Sequence, residues 1–146
     1  MHIWLDADSC PLAIKKILFK AVARTGVQLT MVANHPMPVP AHERIRFERV
    51  AAGPDMADRQ ILKKMVYGDL VITADIPLAA QVIKNGGQVL SPYGELFSQE
   101  NIGARLSVRN FMEALRSAGI KTDGPKPLGQ KEKAAFANQL QRILAE

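Results

Sequence analysis

Cysteine is almost absent from this chain of 146 residues, and its only one is Cys10. A single thiol cannot form an intramolecular disulfide or supply the paired CxxC ligands of a structural zinc site. The sequence also lacks an apolar run of membrane-spanning length, a basic-then-apolar signal segment, and any long block of Lys or Arg. We therefore expect a cytoplasmic protein without a membrane association.

The composition predicts one globular domain. Hydrophobic residues make up 47% of the chain, which is long enough to bury a core. The formal net charge of +5 favours anionic partners, such as RNA or another phosphate-bearing ligand.

An apolar strand that ends in two acids opens the sequence, within Ile3–Pro11. Apolar residues then recur at helical spacing, which predicts a helix over about 9–25. Asp6 and Asp8 would lie at the carboxyl end of the first strand, where open α/β sheets bind ligands. A strand that continues through Asp8 would direct both side chains to one face. Because two adjacent carboxylates repel each other, this pattern favours a bound divalent cation, Mg²⁺ or Mn²⁺.

The same design recurs later in the chain. Leu70–Thr73 reads as a buried strand, and Asp75 follows it directly before a proline that begins a helix. Asp58 lies three residues before Ile61, on the inward face of a helix predicted over about 55–66. Acids at the ends of neighbouring parallel strands would converge. Asp6, Asp8, Asp58 and Asp75 are therefore the predicted metal ligands.

Helix capping is the structural alternative for each acid. Asp and Ser are favoured caps and Pro is favoured in the first turn, so Asp6, Asp8 and Asp75 could each serve only that purpose. Asp55 would cap the second helix, and Asp58 would support its first turn. One cation, however, would explain four of these acids together. Ser9, Asn34 and the helix N-termini would then bind the phosphate of a substrate.

Alternation of strands and helices predicts the fold class. We expect a three-layer α/β/α sandwich with a mainly parallel sheet of about five strands and right-handed crossovers. A single domain would span residues 1–146, with residues 121–130 as a connector to a C-terminal helix that docks onto the domain. Strands are predicted at the start of the chain and over 27–33, 44–50 (a sheet edge), 70–73 and 88–90.

Four motifs give the sequence a specific resemblance to a known family. They are Asp6–Pro11 (DADSCP), Asp55–Asp58 (DMAD), Gly68–Ala79 (GDLVITADIPLA) and Gly124–Pro127 (GPKP). The sequence resembles the YaiI/YqxD family of bacterial proteins over nearly its whole length. That family is grouped with PIN-like (PilT N-terminus) domains, whose active members are metal-dependent ribonucleases. The resemblance therefore implies a PIN-like fold and a metal site.

The resemblance also extends to single residues. Asp6 matches the acid that ends the first PIN strand, Asp58 the helix acid, and Asp75 the acid after the fourth strand. Asp8 is an addition typical of this family. The usual further acid has no clear match, and Glu95 after the fifth strand is the nearest candidate. A second metal ion would thus be short of ligands.

Two functions from different classes remain open at this point. The first is a Mg²⁺- or Mn²⁺-dependent nuclease that hydrolyses RNA phosphodiesters, with Asp6 and Asp75 as catalytic residues. The second is a non-catalytic PIN-like module that binds RNA, a nucleotide or a protein. The sequence does not specify the substrate, the number of metal ions, the oligomeric state or the biological process.

Two phosphatase hypotheses are less compatible with the sequence. Asp6 and Asp8 are similar to the Asp-x-Asp opening of haloacid-dehalogenase-like phosphatases, but Asp69 precedes its strand and would lie at the wrong end of the sheet. A cysteine phosphatase would need Arg where the chain has Lys16, and two acids would oppose a Cys10 thiolate.

Overall fold

One sheet forms the centre of the protein in the computed structural model, which describes residues 1–122 and 127–145. Within these residues six strands are hydrogen-bonded in the order β3-β2-β1-β4-β5-β6, and only β6 runs antiparallel to its neighbour. The strands are β1 (His2–Asp6), β2 (Gln28–Ala33), β3 (Ile45–Arg49), β4 (Leu70–Ile72), β5 (Gln88–Leu90) and β6 (Leu96–Phe97).

Helices cover both faces of the sheet. The first and last pack against each other on one face, and the second and third pack on the other face, where the fourth adjoins the third. Their bounds are α1 (Leu12–Thr25), α2 (Met56–Lys64), α3 (Ile76–Lys84), α4 (Gln99–Ser117) and α5 (Gln130–Ala145). These layers confirm the predicted α/β/α class and are consistent with a PIN-like fold.

Alternation along β1 explains why both layers are needed. Successive side chains of a strand point to opposite faces, so Ile3 and Leu5 enter the core under α1 and α5, while Trp4 enters the core under α2 and α3. All three are buried. On the first face Phe136 and Leu140 of α5 join that core, as the apolar stripe of the last helix predicted.

The chain leaves β1 earlier than the sequence suggested. β1 ends at Asp6, Ala7–Ser9 form a 3-10 turn, and α1 begins at Leu12 rather than near Ser9. The expectation that the strand continues through Asp8 is therefore wrong. The 3-10 turn at Ala7–Ser9 ends the strand, and α1 starts only at Leu12 because Pro11 has an extended backbone and occupies its N-cap position. Because that position belongs to Pro11, neither Asp6 nor Asp8 caps this helix.

Asp69 occupies the opposite end of the sheet from Asp6. It precedes β4, is 4% exposed, and accepts hydrogen bonds from the backbone N–H of His2 (3.1 Å), the indole N–H of Trp4 (3.0 Å) and the backbone N–H of Val66 (3.0 Å). This carboxylate joins β1 to β4 and has a structural role. Its position is inconsistent with the haloacid-dehalogenase-like hypothesis.

The C-terminal part follows the prediction where it is described. α5 packs on α1, whereas residues 123–126 of the predicted connector 121–130, and with them most of the GPKP motif, lie outside the described residues. Throughout the described ranges, every helix is too short or too polar to cross a membrane.

Candidate functional site

The predicted acids gather where the direction of sheet growth reverses. From β1 the chain adds β2 and then β3 on one side, whereas β4 and β5 extend the sheet on the other side. The neighbours β1 and β4 run parallel, so their carboxyl ends lie at the same edge. Asp6 is the last residue of β1 and Asp75 follows β4. This reversal creates the crevice in which open α/β sheets bind ligands.

A pocket of about 410 Å³ opens at this crevice. Its lining includes all six residues that the sequence analysis selected and one that it assigned to capping. They are Asp6, Asp8, Ser9, Asn34, Asp58 and Asp75, together with Asp55. The charged side chains that line it, within the described part of the chain, are thus five aspartates in a protein of net charge +5. We refer to it as the acidic pocket.

Three of the aspartates lie close enough to share one ligand. Each of Asp55, Asp58 and Asp75 offers a carboxylate oxygen, and these oxygens all lie within 4.8 Å of one another. Asp55 and Asp58 come from the start of α2, and Asp75 comes from the start of α3. The predicted ligands Asp58 and Asp75 therefore meet, and Asp55 joins them.

Asp55 is a site residue that the sequence analysis missed. It stands at the N-cap position of α2, but in the described structure its side chain accepts no capping hydrogen bond. Its backbone is left-handed with φ 63°, a conformation that is uncommon for residues other than glycine. The capping expectation for Asp55 is wrong in this respect, because the carboxylate faces Asp58 and Asp75 instead. Its spacing of three residues from Asp58 was the available signal.

Asp75, in contrast, caps a helix and lines the pocket at once. One of its oxygens, Oδ1, accepts a hydrogen bond from the backbone N–H of Leu78 at 3.0 Å in the first turn of α3. The capping alternative is thus correct for Asp75. It does not exclude a ligand role, because the same residue contributes an oxygen to the group of three.

Thr73 links the two strand-end acids, and the sequence analysis did not select it. The buried hydroxyl of Thr73 donates to Oδ2 of Asp6 at 2.9 Å and accepts from the backbone N–H of Asp75 at 3.0 Å. It follows Ile72, which pairs with Leu5 across β1 and β4. Strand register, which requires knowledge of the pairing, was the signal that would have identified it as a positioning residue.

Asp6 and Asp8 line the same pocket but lie outside the group of three. Oδ2 of Asp6 also receives a long hydrogen bond of 3.5 Å from the hydroxyl of Ser9. Asp8 is held by the end of β2, since its carboxylate accepts from the backbone N–H of Asn34 at 2.8 Å and contacts Nδ1 of His35 at 2.6 Å. Asp8 is therefore tied to the loop after β2. Its predicted role as a ligand stays a prediction.

Burial and the charges of neighbouring acids raise the pKa values of Asp58 and Asp6. Burial, followed by the charges of Asp75, Asp6 and Asp55, raises the pKa of Asp58 to about 7. The pKa of Asp6 is also raised, first by burial and then by the charges of Asp75 and Asp8, against the opposing hydrogen bond from Thr73. Clustered carboxylates with raised pKa values are a common feature of functional sites.

The donor set fits a hard divalent cation. Asp55, Asp58 and Asp75 supply only oxygen atoms, which suit Mg²⁺ or Mn²⁺. Oxygens that bind one Mg²⁺ at about 2.1 Å are at most about 4.2 Å apart, so a spread of 4.8 Å requires only a small movement of the side chains. We name these three residues the carboxylate group.

Two other candidates from the sequence lie elsewhere. Glu95, the nearest match to the usual further acid, binds Arg105 with its carboxylate and lines a neighbouring groove instead of the acidic pocket. Cys10 is buried, and burial raises the pKa of its thiol to about 12, which opposes a reactive thiolate.

Comparison with known proteins decides the family. The profile described as "Uncharacterized BCR, YaiI/YqxD family" matches residues 4–146. The chain belongs to the YaiI/YqxD family. A UPF0178 protein of Thioalkalivibrio sulfidiphilus is 58% identical over 146 residues, which cover 100% of this chain and 99% of that protein. The UPF0178 protein of Vibrio cholerae is 52% identical over 100% of this chain and 98% of its own.

A further relative from Aliivibrio fischeri, also a UPF0178 protein, is 56% identical over 100% of this chain and 98% of its own. No solved structure matches the chain. These relatives establish the family and leave its chemistry to be inferred from the site.

Proposed function

We propose that the protein is a phosphodiesterase that depends on Mg²⁺ or Mn²⁺ and cleaves RNA in the acidic pocket. The observation that carries this proposal is the carboxylate group, in which three acids from two helix starts lie within 4.8 Å of one another beside the crevice between β1 and β4. Carboxylates that repel one another in the free protein gain a common partner when a cation binds. When bound, such a cation activates water and stabilises charge on phosphate oxygens.

Each residue of the pocket has a separate task in this proposal. The carboxylate group holds the cation, and Thr73 fixes Asp6 and the backbone of Asp75 relative to each other. Hydrogen bonds reach Asp6 only at Oδ2 in the described part of the chain, so Oδ1 is available to accept a proton from the attacking water. In this proposal the hydroxyl of Ser9, at the pocket wall, gives up its long hydrogen bond to Asp6 and donates to a phosphate oxygen instead.

A cleavage assay on labelled single-stranded RNA tests the proposal. The wild type should cleave the RNA with Mn²⁺ or Mg²⁺, and the cleavage should stop when EDTA is added. Asp75→Asn should reduce the rate at least about 100-fold, because it removes an oxygen ligand while an Asn still caps α3. Glu113→Gln is the matched control, since it removes one negative charge from an exposed position of α4 and should cleave like the wild type. Cleavage that survives both EDTA and Asp75→Asn would contradict the proposal.

One observation favours a second function, that of a PIN-like module that binds RNA without cleaving it. Glu95 is engaged by Arg105 outside the acidic pocket, so it does not supply the further acid that a second metal ion would need. Thermal melts with Mn²⁺ distinguish the two functions. A Mn²⁺-dependent rise in Tm that is lost in Asp75→Asn, without turnover of RNA, DNA or small phosphodiesters, would favour the binding module.

A further inference from the structure

A second groove, of about 710 Å³, lies directly beside the acidic pocket. Ala74 lines both cavities. Of the next two residues, Asp75 lines the acidic pocket and Ile76 lines the groove. The groove extends along the same sheet edge, past the ends of β5 and β6 to the start of α5. Its volume is within the range of small-molecule sites. A ligand longer than the acidic pocket can therefore continue into this groove.

The lining of the groove differs from that of the acidic pocket. The aromatic residue Tyr93 and the apolar residues Phe97 and Ala135 line the groove. Polar groups of both kinds accompany them: Arg105 and Lys131 can donate hydrogen bonds, and Glu95 and Glu132 can accept them. A flat ligand with an apolar face and with donors and acceptors on its edge suits this mixture. A nucleobase has that chemistry.

The turn that carries Tyr93 is preformed. The hydroxyl of Ser91 accepts the backbone N–H groups of Tyr93 (3.1 Å) and Glu95 (3.2 Å), and the N–H of Gly94 donates to the carbonyl of Ser91 (3.0 Å). Gly94 has φ +89°, and a Cβ at this position would lie 2.5 Å from Cβ of Ala135. The turn is thus pressed against α5. The backbone at Tyr93 is thus ordered before any ligand arrives, which lowers the entropic cost of binding.

We propose that this groove is a base-binding subsite, in which Tyr93 stacks on a nucleobase of a single-stranded polynucleotide. Arg105, fixed by Glu95, and Lys131 face the edge of the base or its phosphate. The placement of the cleaved phosphodiester in the neighbouring acidic pocket rests on the proposed function. Stacking on Tyr93 does not, because a strand that binds without cleavage would use the same groove. A strand in a duplex would be excluded, since its bases are already stacked and paired.

Fluorescence anisotropy in EDTA tests the subsite without turnover. Labelled oligo(U), oligo(dT) and an abasic strand of equal length are the probes, and the first two distinguish RNA from DNA. Tyr93→Ala should weaken binding of the base-bearing strands about tenfold, the scale of one base–aromatic stack, and should leave binding of the abasic strand unchanged. Tyr93→Phe should keep the affinity of the wild type. Tyr67→Ala, at the chain's other tyrosine, which is 87% exposed and lies before β4, is the matched control and should have no effect.

A second variant distinguishes the loss of stacking from a folding defect. Tyr93→Leu keeps an apolar side chain without a π face and should lose the same affinity as Tyr93→Ala, with thermal melts confirming that each variant is folded. Binding of oligo(U) at the affinity of the wild type by either variant would overturn the subsite. So would an equal loss for the abasic strand, or a wild type that binds none of the strands. Binding that depends on Tyr93 in a protein that fails to cleave RNA with Mn²⁺ would overturn only the proposed function.

Discussion

Aspartates at the two ends of the β1–β4 pair have opposite environments. At the amino end, Asp69 is buried and accepts three hydrogen bonds, from the indole of Trp4 and the backbone of His2 and Val66. At the carboxyl end, burial and then the charges of the neighbouring acids Asp75, Asp6 and Asp55 raise the pKa of Asp58 to about 7. At the amino end a carboxylate is surrounded by hydrogen-bond donors, whereas at the carboxyl end several carboxylates lie close together.

This difference separates structural acids from candidate functional ones. A buried carboxylate that is surrounded by N–H donors stabilises the fold, because charge-assisted hydrogen bonds are among the stronger ones. Carboxylates that raise one another's pKa reduce stability in the absence of a ligand, and such groups concentrate at functional sites.

The largest effect on stability is expected at the amino end. Asp69→Ala leaves the indole N–H of Trp4 and two backbone N–H groups without their acceptor, which should lower the free energy of unfolding by about 3 kcal/mol or more. This corresponds to a fall in Tm of roughly 10 °C. Urea denaturation measures it. Asp69→Asn is the matched control and should lower the free energy of unfolding less than Asp69→Ala does, because one oxygen still accepts hydrogen bonds. A loss below about 1 kcal/mol in Asp69→Ala would contradict the structural role.

The carboxylate group should give the protein an unusual pH dependence. The folded-state pKa of Asp58 lies above its ordinary value of 3.8, at about 7, so the folded protein binds more protons than the unfolded chain between these values. The free energy of unfolding should therefore fall as the pH rises from about 4 to about 7 in EDTA. Asp58→Asn should reduce this slope and be more stable than the wild type above pH 7. Urea titrations across this range measure both effects.

Two further observations would complete that pH experiment. Because cation binding requires ionised carboxylates, the increase in Tm caused by Mn²⁺ should grow as the pH approaches 7. Glu113→Gln, which neutralises an exposed acid of α4, should keep the slope of the wild type. A wild type whose stability rises steadily over the same range would show that the acids are matched by donors, as Asp69 is.

The sequence predicted the fold better than the contacts within the site. Periodic apolar residues identified the parallel strands and the helices, because burial on a sheet or helix face leaves a local pattern. β6 was missed, since two residues are too few to show any alternation. The early end of β1 was missed because the sequence Asp6–Asp8 is compatible with either a strand or a turn.

Within the site, the acids that follow strands were recognisable and their partners were not. Asp6 and Asp75 each end an apolar run, and parallel pairing of neighbouring strands brings them to one edge. Thr73 depends on register between residues far apart in the chain, which no local pattern encodes. Asp69 lies before its strand and resembles any turn acid in sequence. Its donors come from β1, so only the tertiary structure reveals its role.

The smallest effect is expected at Asp55, where backbone and charge can be separated. Asp55→Asn keeps a residue type that tolerates φ 63° and removes one negative charge from the carboxylate group. In EDTA at pH 8 it should raise the free energy of unfolding by a few tenths of a kcal/mol, the scale of interactions between partly exposed charges.

Asp55→Gly is the control for the backbone. It also relieves the left-handed conformation but makes the unfolded chain more flexible, so its free energy of unfolding should be close to that of Asp55→Asn. Urea denaturation compares them. A loss of a few tenths of a kcal/mol in Asp55→Gly, which is free of strain at this φ but has no side-chain acceptor, with none in Asp55→Asn would instead identify Asp55 as a helix cap. The free energy of unfolding should thus rise in Asp55→Asn and fall in Asp69→Asn, although both changes convert one aspartate to asparagine beside the same pair of strands.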